Sequence, residues 1–286
     1  MSENLPVNDG LLQVFDVEHG ACALFTVPDV GGGFKRLMID CGHNVTTGYR
    51  PGDHLRRLNV GYLDQLVITN YDEDHVSGFP NLQQRGINIG WILRNPTVSP
   101  HTIEKLKTED GMGNGIAALV GALTGYAPTP ASAPPSFRGV SIEWFYNQYP
   151  FFDDENNLSL MLHLNVSGVT FLFPGDMERA GFENMLKTNQ SFREIVAVLD
   201  VLMASHHGRR NGICPDMFDK YGCKPTLTVI SDDYKQYDTQ ETGAYYASKT
   251  VGIDGFRNET ARRKVLTTRN DGEIRFSWSG GRCTVS

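Results

Sequence analysis

Four polar clusters stand directly after apolar runs in this chain. They are Asp40 in LMIDCG, Asn70 to His75 in LVITNYDEDH, Asp176 in FLFPGD, and His206-His207 in LMASHHG. A short apolar run bounded by turn residues reads as a buried strand. One aspartate after one strand is ordinarily a turn residue or a helix cap. Four such ends, all carrying carboxylate or imidazole, restrict the fold much further. Strands that share a polar site at their C-terminal ends must finish on one edge of the molecule.

The remaining strand signals fit two sheets. LLQVFDV (11–17) and ACALFTV (21–27) are predicted to form a hairpin across Glu18-His19-Gly20. FKRLMID (34–40), LDQLVIT (63–69), IGWILRN (89–95), VSIEWFY (140–146), SLMLHLNV (159–166), VTFLFPGD (169–176) and PTLTVIS (225–231) follow. KVLTTRN (264–270) and EIRFSWS (273–279) flank Asn270-Asp271-Gly272, which predicts a second hairpin. Helical patterns cover 53–58, 102–109, 115–123, 177–188 and 242–251. Strands dominate and single helices return between them, without a regular βαβα alternation. The expectation is an α/β (α+β) fold of the αββα type: two mixed sheets packed face to face with helices outside. Residues 1–286 are read as one domain. An insertion at about 100–137 ends in the Pro/Ala/Ser loop APTPASAPPSF.

Composition narrows the partners. With 26 basic against 33 acidic side chains, the net charge of -7 argues against a broad electrostatic footprint on nucleic acid. No apolar run has the length of a membrane span, so no membrane partner is expected. The polar start MSENLPVNDG is unlike a secretory signal. Five scattered cysteines without a CxxC suit a reduced, cytoplasmic protein in which they serve packing.

The ordered set VFDVEHGACALFTV, LMIDCG, LVITNYDEDHVSG, NNLSLMLHL with FLFPGDME, LMASHHG and VLTTRNDGEIRF resembles the metallo-β-lactamase superfamily. Within it, the set is similar to the metallohydrolase domain of ComEC-type bacterial DNA-uptake proteins. GD or HHG alone is a weak signal; the full series in order is specific. The resemblance implies one or two divalent ions at the sheet edge, manganese or zinc with magnesium as a third option, and hydrolysis by a metal-activated water. Carried over by motif, Asn70, Asp72, Asp74, His75, Asp176 and His206 are the expected metal-holding residues. Asp176 takes the place of a bridging aspartate. Asp40 is expected behind the ligands, orienting a histidine. Asp74, Asp176, His207 and Arg209 are the expected catalytic residues, and Arg210 and Asp238 are further candidates.

Three departures stand out. Asn70 replaces a leading histidine, and its carboxamide oxygen is a weaker zinc ligand than imidazole. Arg209 and Arg210 follow HHG where a small residue is usual; they are either solvated loop arginines or a phosphate clamp. The late histidine motif is absent, with Asp238 near its place. An oxygen-rich shell of this kind favours a harder ion such as manganese or magnesium, or a site with a single tightly held ion. The leading functional expectation is a phosphodiesterase or nuclease acting on DNA or another nucleic acid. A hydrolase of a small phosphoester or nucleotide is the second. A catalytically inactive protein of the same fold, acting as a binding or regulatory partner, is the third. Partner proteins encoded by neighbouring genes also fit a free-standing protein of this kind.

Overall fold

The computed structural model describes residues 9–108, 111–125, 133–234 and 238–286. Its strands, in chain order, begin with β1 (Gly10–Val14), β2 (Ala23–Pro28), β3 (Phe34–Ile39), β4 (Tyr62–Leu63) and β5 (Gln65–Val67). They continue with β6 (Asn88–Ile89), β7 (Ile92–Leu93), β8 (Val140–Tyr146), β9 (Leu160–Val166) and β10 (Val169–Phe173). The series ends with β11 (Val201–Met203), β12 (Leu227–Ile230), β13 (Val265–Thr267), β14 (Ile274–Ser279) and β15 (Arg282–Val285). One sheet has the order β15-β14-β1-β2-β3-β5-β7 and the other β13-β12-β11-β10-β9-β8, while β4 and β6 form a small separate pair.

Alternate side chains on these strands enter different cores. On β10, Phe171 and Phe173 join the core between the sheets, while Leu172 joins the core beneath the outer helices. On β2, Phe25 and Val27 face the other sheet and Leu24 faces outward into a helix-covered core. Both faces are covered, so the strands read as continuous apolar runs rather than as alternation. Helices Pro51–Arg57, Phe79–Gln84, Pro100–Leu106 and Asn114–Gly125 cover the first sheet through Leu55, Leu82, Ile103 and Leu119. Helices Arg179–Thr188, Gln190–Ala197, Pro215–Asp219 and Gly243–Lys249 cover the second through Phe182, Phe192, Met217 and Tyr246. This is the αββα sandwich.

Parallel pairing aligns the strand ends that matter. β3 pairs in parallel with β5, so Ile39 stands beside Val67 and Asp40 donates its amide to the Val67 carbonyl at 2.8 Å. β10, β11 and β12 are also parallel, which brings Asp176, His206 and Ser231 to one edge. The two sheets are tied there: Leu160 donates to the Thr69 carbonyl at 2.8 Å, and the Ser231 hydroxyl donates to the Gly20 carbonyl at 2.8 Å.

The hairpin expected at Asn270-Asp271-Gly272 does not form. β13 lies in the second sheet and β14 in the first, so these residues carry the chain between sheets. A helical turn, Thr268–Asp271, makes the crossing. The Thr267 side chain accepts from the Asn270 amide, and the Asp271 carboxylate takes both a 2.9 Å bond from the Thr267 amide and a two-pronged bond from Arg263. Local side-chain capping thus wins over the hairpin preference of Asn-Asp-Gly. The terminal hairpin is β14–β15, turned by Gly280 and Gly281, both at positive φ as a tight two-residue turn requires. Cys22, Cys41, Cys214 and Cys223 are buried, and all five cysteines are free thiols. No helix among the described residues is long and apolar enough to cross a membrane.

Candidate metal centre

The central element is the turn after β5. Residues 73–76 form one helical turn rather than extended chain, which changes where each polar side chain points. His75 is buried at 1% exposure and sits between two carboxylates. Its Nδ1 meets Asp40 Oδ2 at 2.8 Å and its Nε2 meets Asp176 Oδ1 at 3.0 Å. Asp40 is held in turn by the Thr69 amide at 2.7 Å and by the Thr69 hydroxyl. An imidazole fixed this way presents Nε2 to the site, as in carboxylate-supported metal ligands.

His207 enters from the second sheet. Its Nδ1 bonds to the Ser231 carbonyl at 3.2 Å, which turns Nε2 toward Asp74 and Asp176. The Nε2 lies 3.3 Å from Asp74 Oδ2 and 3.4 Å from Asp176 Oδ2, yet has no aligned hydrogen-bond partner. Asp74, His75 and His207 each offer a ligand atom, and the three atoms lie within 4.8 Å of one another. Asp40, His206 and His207 have φ of 53°, 52° and 52°. Left-handed backbone at non-glycine residues costs on the order of 1 to 2 kcal/mol each, and here it clusters at the site.

The charges interlock. Burial alone raises the Asp176 pKa, but His207 and His75 outweigh it and hold the carboxyl well below the usual range. Asp74 is lowered in the same way, burial opposing and the two imidazoles prevailing. Burial alone lowers His207; Asp176 and Asp74 overcome it and push His207 up to about 10. His75 moves well above its ordinary value because Asp176 and Asp40 outweigh its burial. Without a metal, protons on the two imidazoles balance the buried carboxylates.

Other expected residues are placed differently. The Asn70 carboxamide is committed to the fold: Nδ2 donates to Ser159 Oγ at 3.0 Å and to Asn156 Oδ1 at 3.3 Å, and Oδ1 accepts from the Asp72 amide at 2.7 Å. Asp72 pairs with Lys107. Glu73 caps the helix Asn114–Gly125, its carboxylate accepting from the amides of Gly115 at 2.8 Å and Ile116 at 3.1 Å. Because the turn is helical, alternation does not decide which of these side chains face the site. Of the two histidines, His207 lies with Asp74 and His75, and His206 stands farther out. His206 Nε2 is 3.7 Å from Asp176 Oδ2 and receives Arg209 Nη1 at 3.2 Å, while its Nδ1 is 3.6 Å from Glu178. Burial lowers the His206 pKa, which suits a neutral acceptor for Arg209. Arg210 is exposed on the next turn. Asp238 opens the 3-10 turn Asp238–Gln240, and its side chain lies outside the described residues.

Thr69, Ser159, Ser231, Lys107 and Glu178 were not legible as site residues. Their types are ordinary; strand-end alignment brings Thr69, Ser159 and Ser231 to the edge, and the ends of two helices bring Lys107 and Glu178. Two glycines hold the Asp74 turn from behind. A Cβ on Gly42 would lie 2.6 Å from the Asp74 carbonyl oxygen, and one on Gly20 would lie 2.4 Å from the same atom. Gly42→Ala therefore displaces Asp74. We expect metal affinity to fall about tenfold or more, with an unchanged far-UV circular dichroism spectrum; calorimetric titration showing wild-type affinity would contradict this.

Residues 30–231 match the family model of the metallo-beta-lactamase superfamily. The chain belongs to the metallo-β-lactamase superfamily. Members are mostly metal-dependent hydrolases that bind one or two divalent ions. The matched span holds Asp40, the turn at 70–75, Asp176, His206 and His207. No curated protein matches the chain. Among solved structures, it is similar to CmlA, a diiron β-hydroxylase from Streptomyces venezuelae, at 10% identity and a TM-score of 0.46, over 84% of this chain and 51% of that one. The chain thus spans about half the length of the hydroxylase. It is also similar to a diphosphatase of the PhnP family, at 11% identity and a TM-score of 0.40, over 93% of this chain and 97% of that one.

The residues of this metallo-β-lactamase-fold chain fit a divalent ion at one position. His207 Nε2 is a buried nitrogen without a hydrogen-bond partner, aimed at two carboxylates. Asp74, His75, His207 and Asp176 supply two nitrogens and two oxygens. Asn70 and Asp72, the further oxygen donors expected from sequence, are bonded to Ser159 and Lys107. The remaining donor set suits zinc and manganese alike.

Proposed function

We propose that this protein is a divalent-metal-dependent hydrolase of phosphoesters, with a phosphodiester of nucleic acid as the leading substrate class. The observation that carries the reading is the set of buried His75, His207 and Asp176 with the partly exposed Asp74 at their mouth, and Arg209 beside it. Asp74, His75 and His207 would hold the ion, and Asp176 would complete its shell. When bound, a divalent ion supplies Lewis acidity that activates water near neutral pH and polarises a phosphoryl oxygen.

The chain's own residues do the rest. Asp40 and the Ser231 carbonyl fix the two imidazoles so that each presents Nε2 inward. Asp176 balances the charge of both. Arg209 stands at the rim against His206, where its guanidinium can meet the non-bridging oxygens of a phosphate. His19 precedes Gly20, which lies against the Asp74 backbone and accepts from the Ser231 hydroxyl. A small phosphoester or nucleotide is a second reading, favoured by the net charge of -7, which opposes docking of a long polyanion. The likeness of the motif series to ComEC-type metallohydrolase domains supports the nucleic-acid reading.

The test is an assay across ions and substrates. Metal-free protein is given Mn²⁺, Zn²⁺, Mg²⁺ or chelator, with single- and double-stranded DNA, RNA, and bis(p-nitrophenyl) phosphate. The expected result is ion-dependent cleavage that is lost in His207→Ala. Cleavage of bis(p-nitrophenyl) phosphate and nucleotides without cleavage of any polymer would select the small-substrate reading. Hydrolysis unchanged in His207→Ala would end the assignment.

A further inference from the structure

Lys107 is buried at 4% exposure, which is rare for a lysine unless it is paired. Its ammonium is bonded to Asp72 and lies 2.9 Å from Glu155 Oε1. Asp72 stands two residues before Asp74, and its amide is bonded to Asn70, which reaches the Asp176 backbone through Ser159. A fixed cation is therefore bonded to one of the two turn residues, Asn70 and Asp72, that the motif resemblance marks as metal-holding. Those are the residues that a second ion would need from the turn.

Asn70 adds to the same picture. Its amide nitrogen is held by Ser159 and Asn156, and its oxygen by the Asp72 amide. Ser159 also accepts from the Asp176 amide at 3.2 Å, so the carboxamide is locked to the backbone of the proposed bridging residue. Neither Asn70 nor Asp72 is available to an ion without breaking these bonds. A divalent ion placed there would also meet the Lys107 charge across a poorly hydrated gap, where like charges repel strongly.

We propose that Lys107 occupies the second cation position of this centre, so that the protein binds one divalent ion per chain. Superfamily members bind one or two divalent ions; here one ion and one ammonium would share the edge. Lys107 is contributed by the segment after the helix Pro100–Leu106, within the span read from sequence as an insertion. This inference rests on the proposed metal centre and deepens it.

The test counts ions rather than turnover. Metal-free wild type, Lys107→Met and Lys107→Arg are equilibrated with excess Mn²⁺, desalted, and measured by elemental analysis. Frozen samples are examined by electron paramagnetic resonance. Wild type and Lys107→Arg should retain one ion per chain and show the six-line signal of isolated Mn²⁺. Lys107→Met should take up a second ion at least about tenfold more tightly than wild type, with a spin-coupled signal. Two ions in the wild type would overturn the inference and leave the hydrolase reading standing. One ion in Lys107→Met at every concentration would also overturn it. No ion in any of the three proteins would remove both this inference and the metal centre beneath it. If Lys107→Met does not fold, the wild-type stoichiometry still decides.

Discussion

Asp176→Asn should lose both its metal and its hydrolytic activity. The substitution keeps the shape of the side chain and removes the charge that two buried imidazoles face at 3.0 Å and 3.4 Å. Removing one partner of a buried charged set typically costs about 3 to 5 kcal/mol. The metal-free variant should accordingly melt lower than the metal-free wild type at pH 6.5. The sign follows from the lowered Asp176 pKa: its contribution is present above the ordinary carboxyl value and is lost as pH falls through the depressed one. At pH 6.5 the whole contribution is in force, so the variant shows the whole loss. Elemental analysis after dialysis should find metal in the wild type and none in Asp176→Asn. A variant with full metal content and unchanged rates would show that Asp176 does not hold the ion.

The second large effect is the pH dependence of the metal-free protein. His207 titrates at about 10 in the fold, against an ordinary value of 6.5. A raised folded value means stability that is fully present below pH 6.5 and is lost as pH rises toward 10. Each histidine so held contributes about 1.4 kcal/mol per pH unit across that window, and His75 shifts in the same direction. Buried thiols such as Cys22 and Cys41 add a loss of the same sign near pH 9, so the clean interval is pH 6.5 to 8.5. The melting temperature of the metal-free protein should fall across it, and His207→Gln should flatten the slope. A bound ion takes the place of the protons. At a hundredfold excess over Kd it adds about 2.7 kcal/mol, or roughly 5 to 10 °C for a chain of this size. Its affinity should rise with pH, because the imidazoles must release protons to bind it. A metal-free protein whose melting point stays level from pH 6.5 to 8.5 would contradict this charge balance.

Much of the sandwich was legible because its strands are buried on both faces. Runs such as LMLHLNV and VTFLF carry that burial as predominantly apolar sequence. The site edge was legible because polar side chains interrupt four such runs at their ends. What escaped was set by local geometry that composition does not encode. Asn70 and Asp72 look like ligands by type, but the helical turn at 73–76 and the buried Lys107 commit them elsewhere. The different placements of His206 and His207 depend on two successive left-handed residues, which no periodicity reveals. Asn270-Asp271-Gly272 carries a hairpin signal, yet Arg263 and Thr267 turn it into a capped helical crossing between sheets. β15 was missed because its exposed residues lack an apolar stripe, although Gly280-Gly281 marks the turn before it.

The most direct test of the metal centre is hydrolysis of bis(p-nitrophenyl) phosphate by metal-free protein as Mn²⁺ or Zn²⁺ is added in sub-stoichiometric steps. The rate should start at background, rise in proportion to bound ion, and stay at background throughout for Asp176→Asn. Hydrolysis that proceeds equally in excess chelator, or that survives in Asp176→Asn, would contradict the assignment of this edge as a working metal site.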